Sequence, residues 1–132
     1  MSAMTAVEQE IAEKVLSEVE TGLASLLETG ASSVIDLRML PRMSEAVYQH
    51  VQEVLGKGET SILIDASARV EIVETACPGV WWATYHRPSG EIATEIIEIG
   101  FVPRLLAAGK AETAVGLKRL KNRGIGKAQA AE

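Results

Sequence analysis

The chain has 132 residues and a mass of 14.1 kDa, with 47% apolar and 23% charged residues, a net charge of −5 and a pI near 5.1. That length fits one domain able to build a packed core, and the composition excludes a disordered chain, a membrane-spanning helix and a general nucleic-acid binder. A lone cysteine, Cys77, excludes an internal disulfide and any CxxC motif, and His50 and His86 are too few for a His-rich metal site.

Met1 to Glu10 contains acids and no basic n-region, so no secretory signal is expected there and the chain is expected to be cytoplasmic. From Thr5 to Glu28, Val7, Ile11, Val15, Val19, Leu23 and Leu26/Leu27 recur at steps of three or four, which predicts one long helix. Thr5 suits its N-cap and Gly30 its C-terminal stop. Its apolar stripe can pack on the domain or on a second copy, so a homodimer through this helix is one expectation. Ser33 to Arg38 is a short β-like run that ends before Pro41. Ser44 caps a second helix with Val47, Val51, Val54 and Leu55 on one face, and Gly56 and Gly58 end it.

The middle of the chain is β. Thr60–Asp65 and Arg69–Ala76 are strands, and Val73 breaks the alternation of the second in a way that admits a bulge. Cys77-Pro78-Gly79 interrupts, then Val80–His86 is rich in β-branched and aromatic residues. Arg87-Pro88-Ser89-Gly90 is a turn before a last strand from Glu91 to Phe101. Pro103 opens a short helical stretch, Arg104–Ala108, and a final helix runs from about Ala111 to Lys121. The fold class is therefore α+β: an antiparallel meander of about four strands plus a short fifth, helices packed on one face, and a long N-terminal helix. Residues 1–132 form a single domain in this reading, with a helix over 1–30, a core over 33–121 and a flexible tail over 122–132.

No catalytic constellation emerges. Cys77 follows Glu71 and Glu74 with no cation beside it, which suits a structural cysteine better than a reactive thiol. His86 is a candidate base, but nothing in the sequence places it near Cys77. Glu91 and Glu95 share one face of the last strand and Glu98 the other, where Glu98 either reaches solvent, pairs with Arg104 or sits on an apolar face with a raised pKa. No metal-ligand spacing is present. Gly56-Lys57-Gly58-Glu59 lacks a phosphate-loop pattern and reads as a helix stop. Lys118, Arg119, Lys121, Arg123 and Lys127 make a basic C-terminal stretch, either a solvated helix end or a patch for an acidic partner. Trp81 and Trp82 stand adjacent in a chain with five aromatics and must point to opposite faces of their strand. An exposed tryptophan would be a binding anchor, while a sheet covered on both faces would need no partner.

Four runs appear in order: Val34-Ile35-Asp36-Leu37-Arg38-Met39-Leu40-Pro41, Leu55-Gly56-Lys57-Gly58-Glu59-Thr60-Ser61-Ile62-Leu63, Pro78-Gly79-Val80-Trp81-Trp82 and Ile97-Glu98-Ile99-Gly100-Phe101-Val102-Pro103. Together they resemble the C-terminal domain of the HupH/HyaF-type hydrogenase expression protein family, over Ser33 to Leu120. Longer members of that family carry additional sequence upstream. The resemblance implies a non-enzymatic, cytoplasmic accessory or assembly chaperone in [NiFe] hydrogenase maturation, with the iron–sulfur small-subunit precursor or another maturation protein as partner. It implies no catalytic residue, cofactor, metal or nucleic acid. The expected contact surface is Pro78, Gly79, Trp81 and Trp82, joined by Arg38 if its strand lies alongside, with a client segment added at a free sheet edge. The alternative is a thiol-dependent redox or cluster-handling helper that uses Cys77.

Overall fold

The computed structural model describes residues 4–124. Helix α1 spans Ala6–Thr29. The Thr5 hydroxyl accepts from the Glu8 amide at 3.1 Å while the Glu8 carboxylate accepts from the Thr5 amide at 2.9 Å, so two orphan donors of the first turn are satisfied reciprocally. Gly30, at φ 76°, closes the other end and donates to the Leu26 carbonyl. Strand β1 is Ser33–Asp36; helix α2 is Glu45–Leu55, capped by Ser44; strands β2, β3, β4 and β5 are Ser61–Asp65, Arg69–Glu74, Val80–His86 and Ile92–Ile99; helix α3 is Lys110–Arg123. Short 3-10 turns at Leu37–Met39 and Arg104–Leu106 follow β1 and β5.

The strands form one antiparallel sheet in the order β1-β5-β4-β3-β2. The expected meander is β2 to β5, and the fifth strand, β1, returns to pair with β5. Its pairing stops at Asp36, whose side chain accepts from the Arg38 amide at 3.0 Å and starts the 3-10 turn, so Arg38 lies on that turn and not on a strand. The expected bulge at Val73 is absent: Val73 sits in register with Ser61 and with Trp82. The irregularity falls instead at Tyr85/His86, where β4 approaches the Arg87–Gly90 turn.

Helices α1 and α2 cover one face. Ala12, Val15, Val19 and Leu26 of α1 and Val47, Val51 and Leu55 of α2 pack with Ile35, Leu37, Val80, Trp82, Ile97 and Ile99. Of the α1 stripe that a homodimer would have used, Val15, Val19 and Leu26 are buried inside this chain, whereas Val7 and Leu27 are exposed. Val54 lies outside the α2 buried face and is exposed, because it stands one residue before Leu55 and turns about 100° away. On the opposite face, Val70, Ile72, Trp81 and Ala83 form a second cluster flanked by Ile62, Ile64, Tyr85 and Ile96. The segment after β5 anchors on this side, where Pro103 is buried and the Arg104 amide donates to the Glu98 carboxylate at 2.8 Å. Beyond that anchor α3 packs on neither layer, and every residue from Arg104 to Arg123 is exposed. The tail expected over 122–132 reaches the described residues only at its first three positions; 125–132 lie outside them.

Candidate functional site

The two tryptophans point to opposite faces, as strand geometry requires, yet both are buried: Trp81 is 8% exposed and Trp82 7%. Their indole N–H groups are both satisfied. Trp81 donates to the Gly100 carbonyl at 3.0 Å, and Trp82 to the Glu95 carboxylate at 3.1 Å. Trp82 also meets the Tyr48 ring of α2 edge to face, with centroids 6.3 Å apart. Neither tryptophan stands exposed. Each is a structural floor for a different surface.

The Trp82 surface is a trough along α2. Its larger basin, about 1090 Å³, is lined by Leu37, Arg38, Leu40, Arg42, Met43, Tyr48, Ile92 and Glu95 among others. A second basin of about 640 Å³ has Trp82, Val73, Thr75, Leu55 and Lys57 along its walls, and Gln49 and Gln52 are common to both. Arg38 donates one N–H to the Ile92 carbonyl at 3.4 Å, and it forms no salt bridge among the described residues. Arg42 sits at φ 60°, a left-handed conformation that costs a non-glycine residue about 1 kcal/mol or more. The Tyr48 hydroxyl has its pKa raised above the ordinary tyrosine value, first by burial and then by the Glu95 charge. At the far end the Ser44 hydroxyl donates to the Glu8 carboxylate, which ties α2 to α1 and holds the Glu8 carboxyl below its ordinary pKa. The trough therefore offers apolar wall, amide side chains and separated charges of both signs, a mixture suited to an extended peptide.

Pro78, Gly79 and Trp81 belong to a different surface. With Leu23, Leu26, Leu27, Glu74 and Phe101 they line an apolar cleft of about 420 Å³ at the other end of the sheet. Arg38 is remote from it, since β1 pairs Ser33 with Ile99 near the cleft and runs away toward Asp36. The sequence grouping thus separates into Arg38 with Trp82 at the trough and Pro78, Gly79 and Trp81 at the cleft. Gly79 is required there: its φ is +95°, and an added Cβ would stand 3.3 Å from Leu23 Cδ2.

Cys77 is half-buried against the helix-side core, with its thiol 3.9 Å from the Leu55 carbonyl. His86 lies at the far end of β4, about 20 Å along the strand from the Cys77 end, so the two do not form a nucleophile–base pair. Glu98 is buried and meets Arg104 through the backbone amide rather than the guanidinium. Among the described residues no group of His, Cys, Asp and Glu side chains could hold a metal ion. No described helix is long and apolar enough to cross a membrane. The trough went unseen in the sequence: Tyr48, Gln49 and Gln52 carry a helical spacing, but nothing local announces that the sheet beside them is left uncovered.

An open five-stranded antiparallel sheet with two helices on one face and a trough beside α2 defines a small α+β protein. The chain belongs to the HupH hydrogenase expression protein family: its C-terminal conserved region matches residues 10–124, so the family region takes in most of α1 as well as the core from Ser33 onward. Hydrogenase expression protein HupH from Thiobacillus denitrificans is similar in structure, with a TM-score of 0.80 and 36% identity over 85% of this chain and 92% of that one. Hydrogenase expression/formation protein HupQ of Azotobacter chroococcum is 33% identical over 67 residues, 51% of this chain and 24% of the relative. Hydrogenase expression/formation protein HupH of Rhodobacter capsulatus is 26% identical over 92 residues, 70% of this chain and 33% of the relative. The chain thus spans about a quarter to a third of the length of these curated relatives.

Proposed function

We propose that this chain is a non-enzymatic accessory chaperone of hydrogenase maturation that holds a segment of the iron–sulfur small-subunit precursor in the α2 trough, in the cytoplasm. The observation that carries the reading is the trough itself, floored by Trp82 and lined by Arg38, strained Arg42 and Tyr48. Strain held at an exposed arginine is a reason to look for function there. The relatives, all hydrogenase expression or expression/formation proteins, support hydrogenase maturation as the setting. Met43 and Leu40 give an adaptable apolar wall, and Gln49 and Gln52 can match the amides of an extended chain.

The test is capture of small-subunit precursor and, separately, mature enzyme by wild type, Arg38→Ala and Tyr48→Ala. Trp82 is avoided because it is core. Selective capture of precursor, weakened by both variants with the fold intact, is the expected result. Equal capture by all three proteins removes the trough from the reading, and capture of neither client form removes the client. The thiol alternative is tested beside it by Cys77→Ser, which is expected to leave maturation unchanged.

A further inference from the structure

Half of the large apolar side chains that the described residues expose lie on one segment: Phe101, Val102, Leu105, Leu106, Val115, Leu117 and Leu120. That concentration marks an interaction surface rather than ordinary scatter. The segment is also the basic part of the molecule. Helix α3 carries Lys110, Lys118, Arg119, Lys121 and Arg123 against Glu112 alone, although the whole chain is at −5. Thr113, Leu117 and Leu120 fall on one line of α3 at helical spacing, with Lys121 beside Leu117. No part of the described chain covers them.

A complementary surface is present elsewhere on the same molecule. The apolar cleft at Leu23, Leu27, Trp81 and Phe101 is open, with Leu27 81% exposed and Phe101 69%. Along α1, Glu13, Glu20 and Leu27 stand seven apart and so continue one line of acid away from the cleft, and Glu74 borders its other side. A basic helix with two leucines on one line matches an apolar cleft that leads into an acidic helix face. Phe101, at the cleft, is also where the arm departs. A reciprocal exchange of arm and cleft between two copies closes on itself with two-fold symmetry.

We propose that the occupant of this cleft is helix α3 of a second copy of the same chain, exchanged reciprocally. Leu117 and Leu120 enter the cleft of the partner, and the α3 cations lie against its Glu13–Glu20 line. The surface is separate from the α2 trough, so the proposal stands or falls independently of the client reading.

The experiment is sedimentation of the full chain at about 50 µM in low and high salt, with three variants whose altered residues are all exposed. Leu117→Asp/Leu120→Asp breaks the arm, Leu27→Asp breaks the cleft, and Glu13→Lys/Glu20→Lys reverses the acidic line. Circular dichroism confirms that each keeps its fold. Wild type is expected to sediment as a dimer that weakens with salt, and each variant to weaken the dimer by about a hundredfold. An equimolar mixture of the arm variant with the cleft variant is expected to recover dimer beyond either alone, because one arm and one cleft remain intact in each mixed pair. A monomeric wild type overturns the proposal. So does a dimer untouched by the variants, or one that the mixture fails to recover. Cosedimentation of a monomeric wild type with acidic phospholipid vesicles would assign the arm to a membrane surface instead, and also overturns it.

Discussion

Gly22 is the position where two large effects oppose each other and the structure decides the sign. It lies within α1, where alanine is favoured over glycine by about 1 kcal/mol. A Cβ built there would stand 2.5 Å from Ile99 Cδ1 and 3.0 Å from Ser33 Oγ. Ser33 is exposed and its hydroxyl can turn aside, but Ile99 is fully buried between α1 and the sheet. Overpacking of this kind costs about 1–3 kcal/mol, which exceeds the propensity gain. Gly22→Ala is therefore expected to destabilise the chain by about 1 kcal/mol. Ile99→Val removes the offending Cδ1 and leaves Cγ1, which the new Cβ would meet at an ordinary 3.6 Å. Alone, that change costs about 1 kcal/mol; in the Gly22→Ala background it should cost almost nothing, a coupling of about 1 kcal/mol. Urea unfolding measures wild type, both single variants and the double variant, with the midpoint shifting at constant slope. Gly116→Ala on α3, where an added Cβ meets nothing, serves as the control and should raise helicity without moving the midpoint. A stabilised Gly22→Ala, or additivity with Ile99→Val, would refute the close approach of α1 to β5.

Three further outcomes are expected. Glu8 has its folded pKa lowered from 4.5, chiefly by the Ser44 hydroxyl, so its contribution to stability is present above about 4.5 and is lost as pH falls through the folded value. Glu8→Gln should then match wild type in acid and fall behind it as pH rises, read from unfolding midpoints across that range. Arg42→Gly releases the backbone cost at φ 60° and should leave stability unchanged or raised by about 0.5–1 kcal/mol, while precursor capture falls. A parallel loss of stability and capture would mean that Arg42 is only structural. Glu98→Ala orphans the Arg104 amide and should cost about 1–3 kcal/mol, whereas Glu98→Gln keeps an acceptor and should cost less; amide exchange at Arg104 reports the difference directly.

Local chemistry was legible wherever one residue decides one bond. The Thr5 and Ser44 caps, the Gly30 stop and the α1 stripe follow from spacing and side-chain type alone. So does the division of Trp81 and Trp82 between two faces. What spacing does not carry is which surface is left bare. The periodicity of α3 predicts a helix but not a helix that packs on neither described layer. The β-like look of Leu37-Arg38 was overruled by the Asp36 side chain, which captured the Arg38 amide and turned the chain. Val73 broke the hydrophobic alternation without breaking the ladder, because Val73 lines the trough, where an apolar residue serves the open face. Arg42 gave no signal at all, since no sequence rule places arginine at positive φ.

The burial of both tryptophans bears on the proposed binding role. With five aromatics in 132 residues, the chain commits its two largest side chains to the interior. Each indole is locked by one hydrogen bond and so fixes a wall, Trp82 beneath the trough and Trp81 beside the cleft. The adaptable groups stand above them: arginines, glutamines and a methionine at the trough, and leucines and a phenylalanine at the cleft. A rigid floor under mobile polar groups suits transient capture of an extended segment, because little of the floor's order has to be created on binding. The apolar rim of the cleft, in a chain that also exposes a basic helix with apolar residues, suits the proposed contact between folded copies. The trough and the cleft share no lining residue, so one can be occupied without covering the other.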